Sequence, residues 1–198
     1  MPGFGKSAPP SRVLTIPELA DSLVAWMQVC NIPTAAFMGQ SMGCQVIADL
    51  AFRYPARLAA AVLIGPSMDR HGRTALEQAR RLCIDGTRTP LSSVFIMLRD
   101  FLDCGPRRTL KTLQYALRDK IELKLPHVMA PTLIMRGERD PVASQEWVEE
   151  LVESLPNGQL QLIAGVSHAT QYIVPETTAQ VVRAFVQNVP HTAQPLPD

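Results

Sequence analysis

Three side chains in this sequence have the types needed to cleave a carbonyl compound: Ser41, Asp140 and His168. Ser41 lies in Gly39-Gln40-Ser41-Met42-Gly43, a G-x-S-x-G run between a short apolar stretch and a helix-like one. That context reads as a nucleophile elbow, in which a sharp strand-to-helix turn lifts the serine hydroxyl above a sheet. Small residues beside the serine let the chain turn so tightly. The turn also aims the first N–H groups of the new helix at a reacting carbonyl oxygen. The Met42 N–H becomes a candidate oxyanion donor, helped by the field of the helix N-terminus. The plainer alternative is a serine that only caps a helix.

His168 follows a predicted strand after the short loop Gly165-Val166-Ser167. As a general base it would take the Ser41 proton and return it to the leaving group. His71 and His127 border the charged middle of the chain and His191 is near its end, so they compare poorly. Asp140, in Gly137-Glu138-Arg139-Asp140-Pro141, sits in a turn at the C-terminal end of a predicted strand, where ligands gather in open sheets. It would hold the imidazole in one tautomer and stabilise its charged form. Glu138 and Asp69 are rival acids, and a solvated turn carboxylate is the bland reading of Asp140.

The elements that must position these groups can be read from periodicity. Thr15 and Glu18 form a capping-box pattern, and Leu19, Leu23, Trp26 and Met27 repeat at helical spacing, which predicts a helix over 17–29. Residues 34–38 read as a buried strand, 42–52 as a helix ended by Tyr54-Pro55, and 58–64 as a second strand. This βα-β unit, with nearly continuous apolar strands, fits a parallel sheet covered on both faces. Residues 67–125 carry many of the charges and predict helices at about 74–83, 91–103 and 106–119, broken at Gly86, Pro90, Gly105 and Pro106. An all-helical stretch between strands reads as a lid. The βα rhythm resumes with a strand at 132–136, a helix at 144–154, a strand at 159–163 and a last helix at 176–188. The proline-rich tail 191–198 reads as unpacked.

Composition narrows the function. The 198 residues are 46% apolar and carry 19 Lys+Arg against 18 Asp+Glu, a net charge of +1. There is no bulk pull toward nucleic acid or an anionic membrane, and no basic cluster with interleaved aromatics. No apolar run reaches the length of a membrane span, and no signal-peptide pattern opens the sequence, so the default expectation is a cytoplasmic protein. Cys30, Cys44, Cys83 and Cys104 lack metal-ligand spacing and read as core residues. Gly5-Lys6-Ser7 copies the end of a phosphate-binding loop but has no upstream glycine or strand, so nucleotide binding is set aside. No cofactor or metal is implied.

Taken together, the motifs resemble those of the α/β-hydrolase fold superfamily, in the branch with a small helical cap. Gly39-Gln40-Ser41-Met42-Gly43 is similar to the family elbow, Tyr54-Pro55-x-Arg57 to the run that follows it, Gly137-x-x-Asp140 to the acid turn and Ser167-His168-Ala169 to the base loop. Gly3-Phe4-Gly5-Lys6-Ser7 resembles the family's G-x-G-x-S loop. Cys44 stands where the family often has a second glycine after the elbow.

The resemblance implies a mostly parallel sheet flanked by helices, divided as hydrolase core (1–66), helical cap (67–125), core again (126–189) and tail (190–198). It also implies that strands one to four, and the His-Gly segment that supplies a second oxyanion N–H, would precede the first residue. Strand 34–38 would then be an open apolar edge, inviting self-association. One lost oxyanion donor would cost roughly 3–4 kcal/mol of transition-state stabilisation. The implied activity is acyl transfer on a small ester, thioester or lactone. Leu91, Phe95, Leu98 and Phe101 of the cap would meet an apolar substrate portion, unless they are plain core. Carbon–carbon bond hydrolysis and a non-catalytic binding scaffold are the alternatives.

Overall fold

The elbow strand and its neighbours form a four-stranded, wholly parallel sheet in the order β1-β2-β3-β4. The computed structural model describes residues 1–189, so the predicted tail at 191–198 and His191 lie outside the described residues. The chain opens with a loop and enters α1 (Ile16–Val29) through the predicted capping box. The Glu18 N–H donates to Thr15 Oγ1 at 3.4 Å, and the Thr15 N–H to Glu18 Oε2 at 2.8 Å. β1 (Ala35–Gln40), α2 (Met42–Arg53) and β2 (Leu58–Ile64) follow as the expected βαβ unit.

The cap comes next, as α3 (Ala75–Arg88), α4 (Leu91–Cys104) and α5 (Pro106–Arg118). Its first helix runs through Gly86, which was expected to break it. A single glycine costs a helix only about 1 kcal/mol, and Arg88 extends the last turn. The core resumes with β3 (Thr132–Gly137), α6 (Gln145–Ser154) and β4 (Gly158–Ile163). The short α7 (Thr170–Ile173), which periodicity did not reveal, precedes α8 (Pro175–Gln187).

Alternation along the central strands sorts the core into two layers. Ala61, Leu63 and Ile134 face α1, α2 and α6, packing with Leu19, Leu50, Trp147 and Leu151. Ala60, Val62, Ile64, Leu133 and Met135 face α8 and meet Phe185. α2 is buried without interruption from Cys44 to Ala51, because α1 covers the side that the sheet does not. Trp147, fully buried, satisfies its indole by donating to the Pro66 carbonyl at 3.1 Å, which ties α6 to the loop after β2.

The expected open edge is present: among the described residues, β1 pairs only with β2. Ala36 and Met38, on the side that α8 covers farther along the sheet, are exposed, Met38 by 54%. The expectation that the cysteines are core residues holds only for Cys44. Cys30 and Cys83 are exposed and Cys104 is half-buried, because they lie at helix ends or on the cap. Among the described residues, no helix is long and apolar enough to cross a membrane.

Candidate active site

The C-terminal ends of β1, β2, β3 and β4 lie on one edge of the sheet, and the turn or loop after each supplies part of a possible site. At the end of β1, Ser41 has φ 53° and ψ −119°, a strained conformation for a residue with a side chain. The strain is held from both sides: the Ser41 N–H donates to the Ile64 carbonyl at 2.9 Å, and α2 starts at the next residue. Gly39 is required by the crossing. A Cβ there would lie 2.8 Å from the Gly43 carbonyl carbon and 2.6 Å from Ile47. Cys44 fits because its Sγ–H points back to the carbonyls of Gly39 and Ile64, at 3.3 and 3.4 Å. Burial pushes its thiol well above the ordinary range, so it is a neutral packing group.

The acid and base loops interlock at the ends of β3 and β4. The Glu138 N–H donates to Ile163 O and the Arg139 N–H to Val166 O, both at 2.9 Å. Gly137 makes room for this, since a Cβ there would stand 2.1 Å from the Ser167 carbonyl oxygen. Arg136, buried at the end of β3, organises the acid turn from within. Its guanidinium donates to the carbonyls of Ala143, Asp140 and Glu138 at 2.6, 2.9 and 3.1 Å. Sequence reading did not single it out.

These constraints place Asp140 Oδ2 2.8 Å from His168 Nδ1, with both side chains buried. Asp140 Oδ1 accepts from the N–H groups of Val142 and Ala143, at 2.7 and 3.1 Å. The carboxylate is therefore filled on one oxygen by backbone and on the other by the imidazole. Burial is the largest single influence on His168 and opposes its charged form. The charge and hydrogen bond of Asp140, with the charge of Asp85, outweigh it, and the pKa lies above the ordinary imidazole value.

Ser41 belongs to the same neighbourhood. Gln40 Nε2 donates to the His168 carbonyl at 3.3 Å, and Gln171 of α7 bonds Gln40 Oε1 in turn. His168 Nε2 is buried without a hydrogen bond among the described residues, so the Asp140–His168 contact is formed and a His168–Ser41 bond is not. Hydroxyl–imidazole bonds at such sites are often loose before substrate binds.

Gly65 is the residue that lets the three parts meet. It follows β2 with φ +51°, and a Cβ on it would lie 2.9 Å from both Cε1 and Nδ1 of His168 and 3.0 Å from Asp140 Oδ2. Gly65→Ala is expected to lower stability by about 1–3 kcal/mol, read from the urea midpoint, through its left-handed backbone alone. It should also pry the imidazole from Asp140, read as loss of the downfield imidazole N–H proton resonance.

The rival acids are engaged elsewhere. Asp69 is fully buried and accepts from Arg81 (2.7 Å), Ser144 (2.7 Å) and the His71 N–H (2.8 Å). Burial works against its charge, yet these donors hold its pKa below the ordinary carboxylate value. Glu138 is exposed and accepts from the Gly165 N–H at 3.0 Å. Of the other histidines, His71 pairs with Glu150 and His127 packs against Phe52.

The cap residues singled out in the sequence lie at the surface. α4 buries no residue, and Leu91, Phe95, Leu98 and Phe101 are exposed on it. They are therefore not plain core. The reason is that α4 packs on α5 rather than down on the sheet.

A parallel sheet with helices on both faces, a helical cap after its second strand and a serine turn at the end of its first define the α/β-hydrolase fold, and this chain has it. Residues 1–94 match the family described as alpha/beta hydrolase fold. The fold is shared with a thermophilic esterase from Thermogutta terrifontis. The TM-score is 0.79 and the identity 20%, over 96% of this chain and 78% of that one. A putative carbamate hydrolase, RutD, of Pantoea ananatis is 24% identical over 86% of this chain and 70% of its own. A 98-residue segment, half of this chain, is 29% identical to the polyketide synthase ThaQ of Burkholderia thailandensis, of which it spans 5%.

Proposed function

We propose that the chain is a serine hydrolase that acts by acyl transfer on a small ester, thioester or lactone with an apolar portion. The observation that carries the reading is the buried His168–Asp140 pair beside the positive-φ Ser41. Nδ1 is committed to a carboxylate, which leaves the lone pair of Nε2 for the serine proton. The esterase and the carbamate hydrolase that resemble the chain are in keeping with carbonyl cleavage.

In the proposed reaction Ser41 Oγ forms a bond to the carbonyl carbon while its proton passes to His168 Nε2. The charge that develops on the carbonyl oxygen is met by the Met42 N–H, one of the helix's first groups, which have no partner within the helix. Collapse of the tetrahedral intermediate breaks the bond to the leaving group, which takes the proton from His168. Water then adds to the acyl-serine, giving its proton to His168, and the acid departs as Ser41 regains its hydrogen. The exposed residues Leu91, Phe95, Leu98 and Phe101 are the proposed contacts for the apolar portion of the substrate.

A fluorophosphonate probe tests the reading. The purified chain should gain the mass of one adduct, and peptide mapping should place it on Ser41. A chain that unfolds cooperatively yet takes no adduct would rule out an activated serine and leave the fold as a binding scaffold.

A further inference from the structure

One buried carboxylate near the site has no role in the reaction just described. Asp85 lies in the last turn of α3, the first helix of the cap, and is 8% exposed. Its acceptors are spent outside its own helix. Oδ1 accepts the backbone N–H of His168 at 3.0 Å and the hydroxyl of Ser167. Among the described residues, Oδ2 meets only the Thr89 hydroxyl, at 3.3 Å, and that hydroxyl donates at 2.8 Å to the Asp85 backbone carbonyl. Three residues on, Arg88 Nη1 donates to the Arg139 carbonyl in the acid turn at 2.9 Å. The end of one cap helix thus grips both the loop that carries His168 and the turn that carries Asp140.

We propose that Asp85 is a positioning residue: it fixes the main chain of the His168 loop, so that the base is set in place only when the first cap helix is seated. The proposal rests on reading His168 as the general base. Without Asp85, the Ser167 hydroxyl and the His168 N–H would be buried and unpaired, and the loop would move to find partners. Cap position and base geometry would then be one variable, coupling entry of substrate under the cap to readiness of the base.

The charged groups around His168 make the electrical effect separable from the geometric one. Asp140 and Asp85 are the carboxylates that act on the imidazole. Arg136 turns to backbone carbonyls, Arg88 to the Arg139 carbonyl and Glu138 to the Gly165 N–H, while the elbow and α7 present the neutral Gln40 and Gln171. Removing the Asp85 charge takes away one of two anions that favour imidazolium, so His168 should titrate at lower pH.

The test compares Asp85→Asn and Asp85→Ala with the parent chain on a p-nitrophenyl ester. Asp85→Ala should lower kcat by about tenfold or more with KM nearly unchanged, as expected for a misplaced base. Asp85→Asn, whose amide oxygen still accepts the His168 N–H, should recover part of that loss. In both variants the acid limb of the kcat/KM profile should move to lower pH. Hydrogen exchange at the His168 amide and NMR titration of its imidazole are measured alongside. Asp85→Ala should lose amide protection, and both variants should titrate at lower pH than the parent.

Unchanged exchange and titration in the two variants would overturn the proposal whatever the rates. A parent chain without turnover, but with the expected exchange and titration differences, would sink the hydrolase reading and leave the positioning role of Asp85 standing. Should Asp85→Ala fail to fold, Asp85→Asn decides alone: its neutral amide oxygen is a weaker acceptor than a carboxylate, so parent-like exchange at the His168 amide together with a parent-like kcat would overturn the proposal.

Discussion

Replacing Ser41 by alanine should lower kcat on an activated ester by about a millionfold if serine and histidine act as one unit. The same argument sets the outcome of the matching His168→Ala change. Each substitution alone removes the nucleophile or the means of ionising it, so either should cost about as much as both together. The double variant is the discriminating measurement. A loss equal to the larger single loss supports a coupled nucleophile and base, whereas losses that multiply would mean the two act separately.

Stability argues in the same direction. Ser41 occupies a conformation that costs about 1–3 kcal/mol for a residue with a side chain, and alanine inherits that cost. A folded Ser41→Ala chain should therefore melt close to the parent, which leaves lost chemistry as the cause of lost turnover.

The parts of this arrangement that sequence exposes are those with a local signal. The elbow is legible because glycine spacing, a strand before it and a helix after it all fall within twenty residues, and the strands around it are nearly unbroken apolar runs. The acid turn and base loop are legible because each follows a strand with a glycine nearby. What sequence hides is long-range. Asp85 reaches Ser167 and His168 across 82 and 83 positions, and nothing in the pattern of α3 distinguishes it from a solvated helix carboxylate. Arg136 reads as a polar residue ending a strand, although its guanidinium is buried against three carbonyls. Gly65 reads as a strand terminator with Pro66, and only the packed imidazole shows why a side chain is excluded there. The apolar periodicity of α4 predicts burial or a lined pocket, yet the helix leaves that stripe exposed, because periodicity gives a face and not its neighbour.

Asp140→Asn should lower kcat by about ten-thousandfold while leaving the chain folded. The geometry dictates how. Oδ1 of Asp140 faces two backbone N–H donors, from Val142 and Ala143, so the asparagine oxygen must take that side. Its NH2 group is then turned toward His168 Nδ1, where it can only donate. The imidazole must answer with a lone pair on Nδ1, which moves its proton to Nε2, and Nε2 can no longer accept from Ser41.

The charge that favours imidazolium is lost in the same substitution, so the midpoint of the acid limb should fall from above about pH 6.5 toward lower values. The linkage follows with definite sign. In the parent, the raised folded pKa of His168 adds stability that is fully present below about pH 6.5 and is lost as pH rises through the folded value. In Asp140→Asn that stability increment should vanish, seen as loss of the decline in urea midpoint as pH rises above about 6.5. Asp69→Asn is the control that separates the acids. It breaks the bonds to Arg81, Ser144 and the His71 N–H and should lower the urea midpoint, but it should leave the acid limb where it is in the parent. An Asp69→Asn chain that loses the acid limb, beside an Asp140→Asn chain that keeps it, would assign the role to the wrong carboxylate and require the site to be redrawn.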